Sequence, residues 1–104
     1  MTVSIREVVE GTQRQGADEG VAYQVTTTNW ASTPTSPSVV VYRTSDETDV
    51  TSTVMNPNSP SVATDTITLS PLDSLTAGER YRVELQFTAT GYSPAEVYFF
   101  VEAE

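Results

Sequence analysis

The chain contains no cysteine, no histidine and no lysine. Each absence removes a chemistry. Without cysteine there is no disulfide and no thiolate nucleophile, so the fold must hold without covalent staples and disulfides carry no information about compartment. Without histidine there is no relay that activates a serine or cysteine, and no Cys/His zinc site. Without lysine there is no Schiff base and no lysine–asparagine isopeptide crosslink. Long apolar runs are missing too: none approaches the ~18 residues of a membrane-spanning helix. The opening Met1-Thr2-Val3-Ser4-Ile5-Arg6-Glu7 has neither a basic cluster nor an apolar core, so a signal peptide is not expected. A chain starting there would be made in the cytoplasm.

What is present defines one domain, residues 1–104. A chain of this size buries roughly 65% of its extended surface, enough for a core. The five basic residues are all arginines (Arg6, Arg14, Arg43, Arg80, Arg82) against fourteen acidic ones, a formal net charge of −9. Such a surface repels phosphates, so neither nucleic acid nor an anionic membrane is expected as partner. The composition matches proteins of salt-loving organisms, and high genomic GC content would remove lysines equally well. Carboxylates, tyrosines and arginines are left for catalysis. Paired carboxylates can do acid–base work, but acids scattered along a chain read as a solvated surface. No catalytic residue, cofactor or metal ligand is therefore assigned, and the chain is expected not to be an enzyme. Asp46, Glu47 and Asp49 crowd one turn, but without the glycine and distal glutamate of a calcium loop they read as a solvated acidic turn.

Arg80 to Thr90 gives the clearest structural signal. Tyr81, Val83, Leu85 and Phe87 alternate with Arg82, Glu84 and Gln86, the period of a half-buried strand. Along the rest of the chain, strands are expected at Thr2–Val9, Val21–Trp30, Ser38–Thr44, Thr64–Ser70 and Glu96–Ala103, with a short one at Val50–Met55. The break of alternation at Val8 and Val9 predicts a bulge or a change of sheet. Glu10–Gly20 reads as a long loop, and Ala31–Pro37, Ser45–Asp49, Asn56–Pro60 and Gly91–Pro94 read as turns or crossovers. About seven short strands with turn residues between them and no convincing helix predict an all-β chain folded as an antiparallel sandwich.

The stretch Leu75-Thr76-Ala77-Gly78-Glu79-Arg80-Tyr81-Arg82-Val83 resembles fibronectin type III and related immunoglobulin-like domains. They share a leucine, a tight turn on a glycine, and a tyrosine six residues after the leucine that opens a strand. The resemblance implies a seven-stranded immunoglobulin-like sandwich with a tyrosine corner, in which Leu75, Gly78 and Tyr81 are structural and the Tyr81 hydroxyl bonds back to the preceding backbone. Where the family has proline and threonine around the turn, this chain has Ala77 and Glu79. Small sandwiches of this kind are similar to accessory proteins of tailed-phage virions: head decoration, neck or tail adaptors.

In that fold Ser38–Thr44, Arg80–Thr90 and Glu96–Ala103 lie side by side. The apolar runs Val39–Tyr42 and Val97–Val101 must then place half their residues on the outer face. Val40, Tyr42, Arg82, Tyr98 and Phe100 are expected there as an aromatic–arginine patch, the composition enriched at protein interfaces. The competing reading has strand ends, the N-terminal segment or the long loop covering those rings. The expected function is structural: docking on other protein subunits of a symmetric assembly, in a virion made in the host cytoplasm. The alternative is a carbohydrate- or receptor-binding module of a cell surface, acting through Trp30 and Tyr92 at the loop ends.

Overall fold

The computed structural model describes residues 5–7, 11–27, 31 and 33–104. Among them are nine strands and one short helix: β1 (Ile5–Glu7), β2 (Gln13–Gln15), β3 (Gln24–Thr26), β4 (Thr35–Arg43), β5 (Thr48–Asp49), α1 (Thr51–Val54), β6 (Ser61–Ala63), β7 (Thr66–Thr68), β8 (Arg80–Ala89) and β9 (Tyr92–Ala103). The fold is all-β, with two sheets. One runs β1-β9-β8-β4-β5, with β2 also on the outer side of β9, and the other runs β3-β7-β6.

Period-two patterning builds the larger sheet. On β8, Tyr81, Val83, Leu85, Phe87 and Ala89 are buried while the residues between them are not. A ten-residue strand with one apolar face needs a neighbour on each side and a layer beneath it. β4 and β9 flank β8 antiparallel, adding Val39 and Val41 from one side and Val97, Phe99 and Val101 from the other. The smaller sheet supplies Val25 and Ile67, and Leu69, Leu72, Val54 and Met55 join the same buried cluster. Tyr23 reaches under the larger sheet, its ring 5.2 Å from that of Phe99.

Several expectations are corrected. Glu10–Gly20 is not a plain loop, because Gln13–Gln15 forms β2 against Val101–Ala103. Its polar side chains hid a strand whose support is backbone pairing and one buried glutamine. Val50–Met55 is not a strand. Its Thr51–Val54 stretch is one helical turn, with the Thr51 N–H donating to Asp49 Oδ1 at 3.0 Å. Ala31–Pro37 is not wholly a turn: β4 begins at Thr35 and carries Pro37 at a bulge between Thr35 and Ser38, where a missing N–H is tolerated. β9 likewise starts at Tyr92, inside the expected Gly91–Pro94 turn. β6 was not anticipated. β1 lies within the expected Thr2–Val9 strand, the rest of which, including Val8 and Val9, is outside the described residues. β3 is the core of the expected Val21–Trp30 strand, extended by an isolated bridge between Val21 and Leu72. Trp30 is outside the described residues. Nor is the pairing wholly antiparallel, since β1 and β2 both run parallel to β9.

Candidate protein-docking face

The outward positions of the larger sheet fall into rows set by register. Val40 pairs Glu84, which pairs Tyr98, and the next row is Tyr42, Arg82 and Phe100. Because Val39, Val41, Val97, Phe99 and Val101 are buried, Val40, Tyr42, Tyr98 and Phe100 stand on the opposite face, each partly exposed. The five residues singled out from the sequence are thus in one contiguous patch spanning three strands.

The patch is braced by charge. Arg82 donates through Nη2 and Nη1 to both Glu47 carboxylate oxygens at 2.8 and 3.2 Å, and through Nε to Glu84 at 2.7 Å. Its guanidinium carbon lies 5.0 Å from the Tyr42 ring centre. Arg80 lies over Phe100 at 4.0 Å, within cation–π range. Tyr98 meets Phe100 edge to face, with ring centres 5.6 Å apart. The rings are therefore partly covered by the arginines of the sheet itself. Arg80 is in turn held by Thr12, whose Oγ1 accepts from it at 3.4 Å. Arg80 and Arg82 balance Glu47 and Glu84 at the centre of the patch, while Glu96 and Glu102 stand in the outward rows at its two ends, Glu102 3.7 Å from Arg14.

Electrostatics follow the geometry. Hydrogen bonds from Arg82 hold the Glu47 carboxyl below its usual range, and those same bonds with Glu47 and then Glu84 raise the Arg82 pKa. The acidic turn is committed in the same manner. Asp46 takes a bidentate contact from Arg43, at 2.7 and 3.2 Å, which lowers its pKa to about 2. Asp49 accepts from the hydroxyl and the N–H of Thr51, and its pKa is lowered by those bonds. Three carboxylates adjacent in sequence thus serve three different partners. Among the described residues, no group of three or more acidic side chains could hold a metal ion.

The structural trio is placed at the start of β8. Leu75 and Tyr81 are buried. Gly78 has φ +88, a left-handed conformation that favours glycine, and its N–H donates to Ala103 O at 2.9 Å. The Thr76 N–H donates to the Tyr81 hydroxyl at 2.8 Å.

Two features escaped the sequence. One is Gln15, which is 1% exposed with every polar atom used. Its Nε2 donates to Leu72 O at 2.6 Å and Glu19 O at 2.9 Å, and its Oε1 accepts from the Tyr23 hydroxyl at 2.9 Å. Burial, with a smaller push from the Glu19 charge, raises the Tyr23 pKa. The other is the pairing of Glu47 with Arg82 across 35 residues. Neither has a local signature, because both depend on strand order. Of the alternative loop-end site, Trp30 and the Tyr92 side chain lie outside what is described. A shallow depression beside α1 is lined by Asp49, Thr51, Ser52, Met55, Asn56 and Asn58. Thr51 and Asn58 there are already bonded to β4. No described helix is long and apolar enough to cross a membrane.

No family model matches the chain, and neither the curated proteins nor the solved structures contain a match to it.

Proposed function

We propose that the chain is a non-enzymatic protein–protein interaction module of immunoglobulin-like sandwich form, docking through the outer face of β4, β8 and β9. The observation that carries this reading is the patch itself: Val40, Tyr42, Tyr98 and Phe100 around Arg82, on one sheet face. Burying aromatic rings against a partner supplies the main gain, and arginine supplies directional bonds. The pairing of Arg80 and Arg82 with Glu47 and Glu84 matters because it removes net charge from the centre of the patch, where neighbouring acidic copies would otherwise repel.

The setting we assign is an accessory position on a tailed-virus particle, head decoration or neck or tail adaptor. There a modest contact repeated by symmetry gains from multivalency. The immunoglobulin-like assignment is supported by β4, β8 and β9 lying side by side over β3, β7 and β6, and by the Thr76–Tyr81 bond in the place of a tyrosine corner. Tyr81→Phe should lower unfolding stability by about 1 kcal/mol, read by urea denaturation, with the β-sheet circular dichroism spectrum unchanged.

Light scattering in low and in molar salt, with Tyr98→Ser/Phe100→Ser alongside, tests the docking face. Both side chains are partly exposed, so the double variant should stay folded. Assembly that disappears in the variant supports the reading. Assembly that is unchanged in it overturns the assignment of this face.

A further inference from the structure

The smaller sheet ends in β6, whose outer edge has no partner among the described residues, on the layer opposite the proposed docking face. Two hydrogen bonds fix the phase of its ladder. The Leu69 N–H donates to Tyr23 O at 2.8 Å and the Thr27 N–H to Asp65 O at 2.7 Å, so residues 65, 67 and 69 turn their backbone groups toward β3. Thr66 and Thr68 therefore turn theirs toward β6, where they face Ala63 and Ser61. Val62 lies between those two and turns its N–H and C=O outward, to an edge that carries no further strand among the described residues. Val62 shares the inner-face register of Ile67 and Val25, yet it is 37% exposed, the one exposed large apolar side chain among the described residues.

Edge strands are usually blunted by charge, by an internal proline or by a covering segment. Ser61–Ala63 is blunted only by its shortness and by Pro60 before it, and residues 59–64 carry no charge on a chain of net charge −9. That neutrality lets a second acidic copy approach this edge without meeting like charge. We propose that β6 pairs antiparallel with the same edge of a second copy, about a two-fold axis at Val62. Val62 then exchanges both backbone bonds with its twin, and the two exposed valine side chains cover each other. In this register Ser61 faces Ala63, Pro60 faces Thr64 and Ser59 faces Asp65, so no carboxylate meets a carboxylate. Pro60 has no N–H and limits the ladder, so the contact is short and the dimer weak.

Sedimentation velocity over a concentration series reaching about 1 mM, in low salt and in about 0.5 M NaCl, tests this. The expected result is a monomer–dimer equilibrium that salt tightens, because screening relieves net repulsion while the contact holds no ion pair. Val62→Pro removes only the outward N–H and leaves the bonds of Ser61 and Ala63 to β7, and Val62→Lys puts a charge on the edge without touching the backbone. Each should raise the dimer Kd at least about tenfold, a change of roughly 1.4 kcal/mol. A monomer at every concentration overturns the proposal. So does a dimer that both Val62 variants leave intact, as a dimer held by the face of Tyr98 and Phe100 would be; a foreign strand as the true occupant of the edge gives the monomer. The edge and the docking face belong to different sheets, so either can fail alone.

Discussion

β4 and β6 each run out of strand partners on one side, but only β4 has its free backbone groups occupied by its own chain. Beyond the two residues of β5, the Val41 N–H donates to Thr51 Oγ1 at 2.8 Å, Val41 O accepts from the Val50 N–H at 2.9 Å, and Val39 O accepts from Asn58 Nδ2 at 2.9 Å. A helical turn and one asparagine do the work of a further strand. Among the described residues β6 has no such cover, and it is only three residues long. The difference teaches that a sheet edge can be closed by side chains without extending the sheet, and that closing it fixes which part of the molecule is left to meet others.

The comparison can be broken from the inside. Leu85→Ala empties a fully buried position on β8 and should cost about 3–4 kcal/mol in urea denaturation, while Val62→Ala on the open edge should cost under about 0.5 kcal/mol. Both sheets share one buried cluster, so Leu85→Ala should still unfold in a single transition by fluorescence and by circular dichroism. Gln15→Ala comes next. It strands Leu72 O and the Tyr23 hydroxyl in a dry site, for an expected loss of about 2 kcal/mol.

Smaller changes sharpen the contrast. Thr51→Val leaves the Val41 N–H without its acceptor, which should cost about 1 kcal/mol and speed amide hydrogen exchange at Val41. Adding Asn58→Ala opens the rest of that edge, and a concentration-dependent association insensitive to Val62→Pro should then appear. The smallest effect is in pH. Asp46, Glu47 and Asp49 all have folded pKa values below their ordinary ones. Their contribution is therefore fully present above the unfolded value near 3.8 for an aspartate, and is lost as pH falls toward the folded value of about 2 at Asp46. Denaturant midpoints should drop between pH 4 and pH 2.5, and Asp46→Asn should make that drop shallower. The three groups are exposed, so the drop is slight.

Much of this architecture was legible wherever side chains alternate. Tyr81 to Phe87 announced β8, and the apolar runs at Val39–Tyr42 and Val97–Val101 announced strands interior to a sheet, with one parity left for the outside. Legibility failed where the stabilising group is polar or distant. Gln13–Gln15 looks like loop because its strand is held by β9 and by a glutamine amide bonded 57 residues away. Thr51–Val54 looks like strand because its residues are largely β-branched, and its helical turn is imposed by Asp49 and by the edge of β4. The candidate face followed the same rule. Its rings and its outward arginines were readable from parity, but the pairing of Arg82 with Glu47 and the stacking of the arginines on the rings were not, since these groups meet only after the strands are ordered.

The parallel placement of β1 and β2 on β9 has a consequence for synthesis. A ribosome delivers Ile5–Glu7 and Gln13–Gln15 well before the strand that receives both. Contacts between the start and Tyr92–Ala103 span most of the sequence, a high contact order that predicts slow folding. Until β9 emerges, one whole side of β8 is bare, and its alternating apolar face is open to other nascent chains. Productive folding is thus timed by the arrival of Tyr92–Ala103 rather than by the appearance of the first strands.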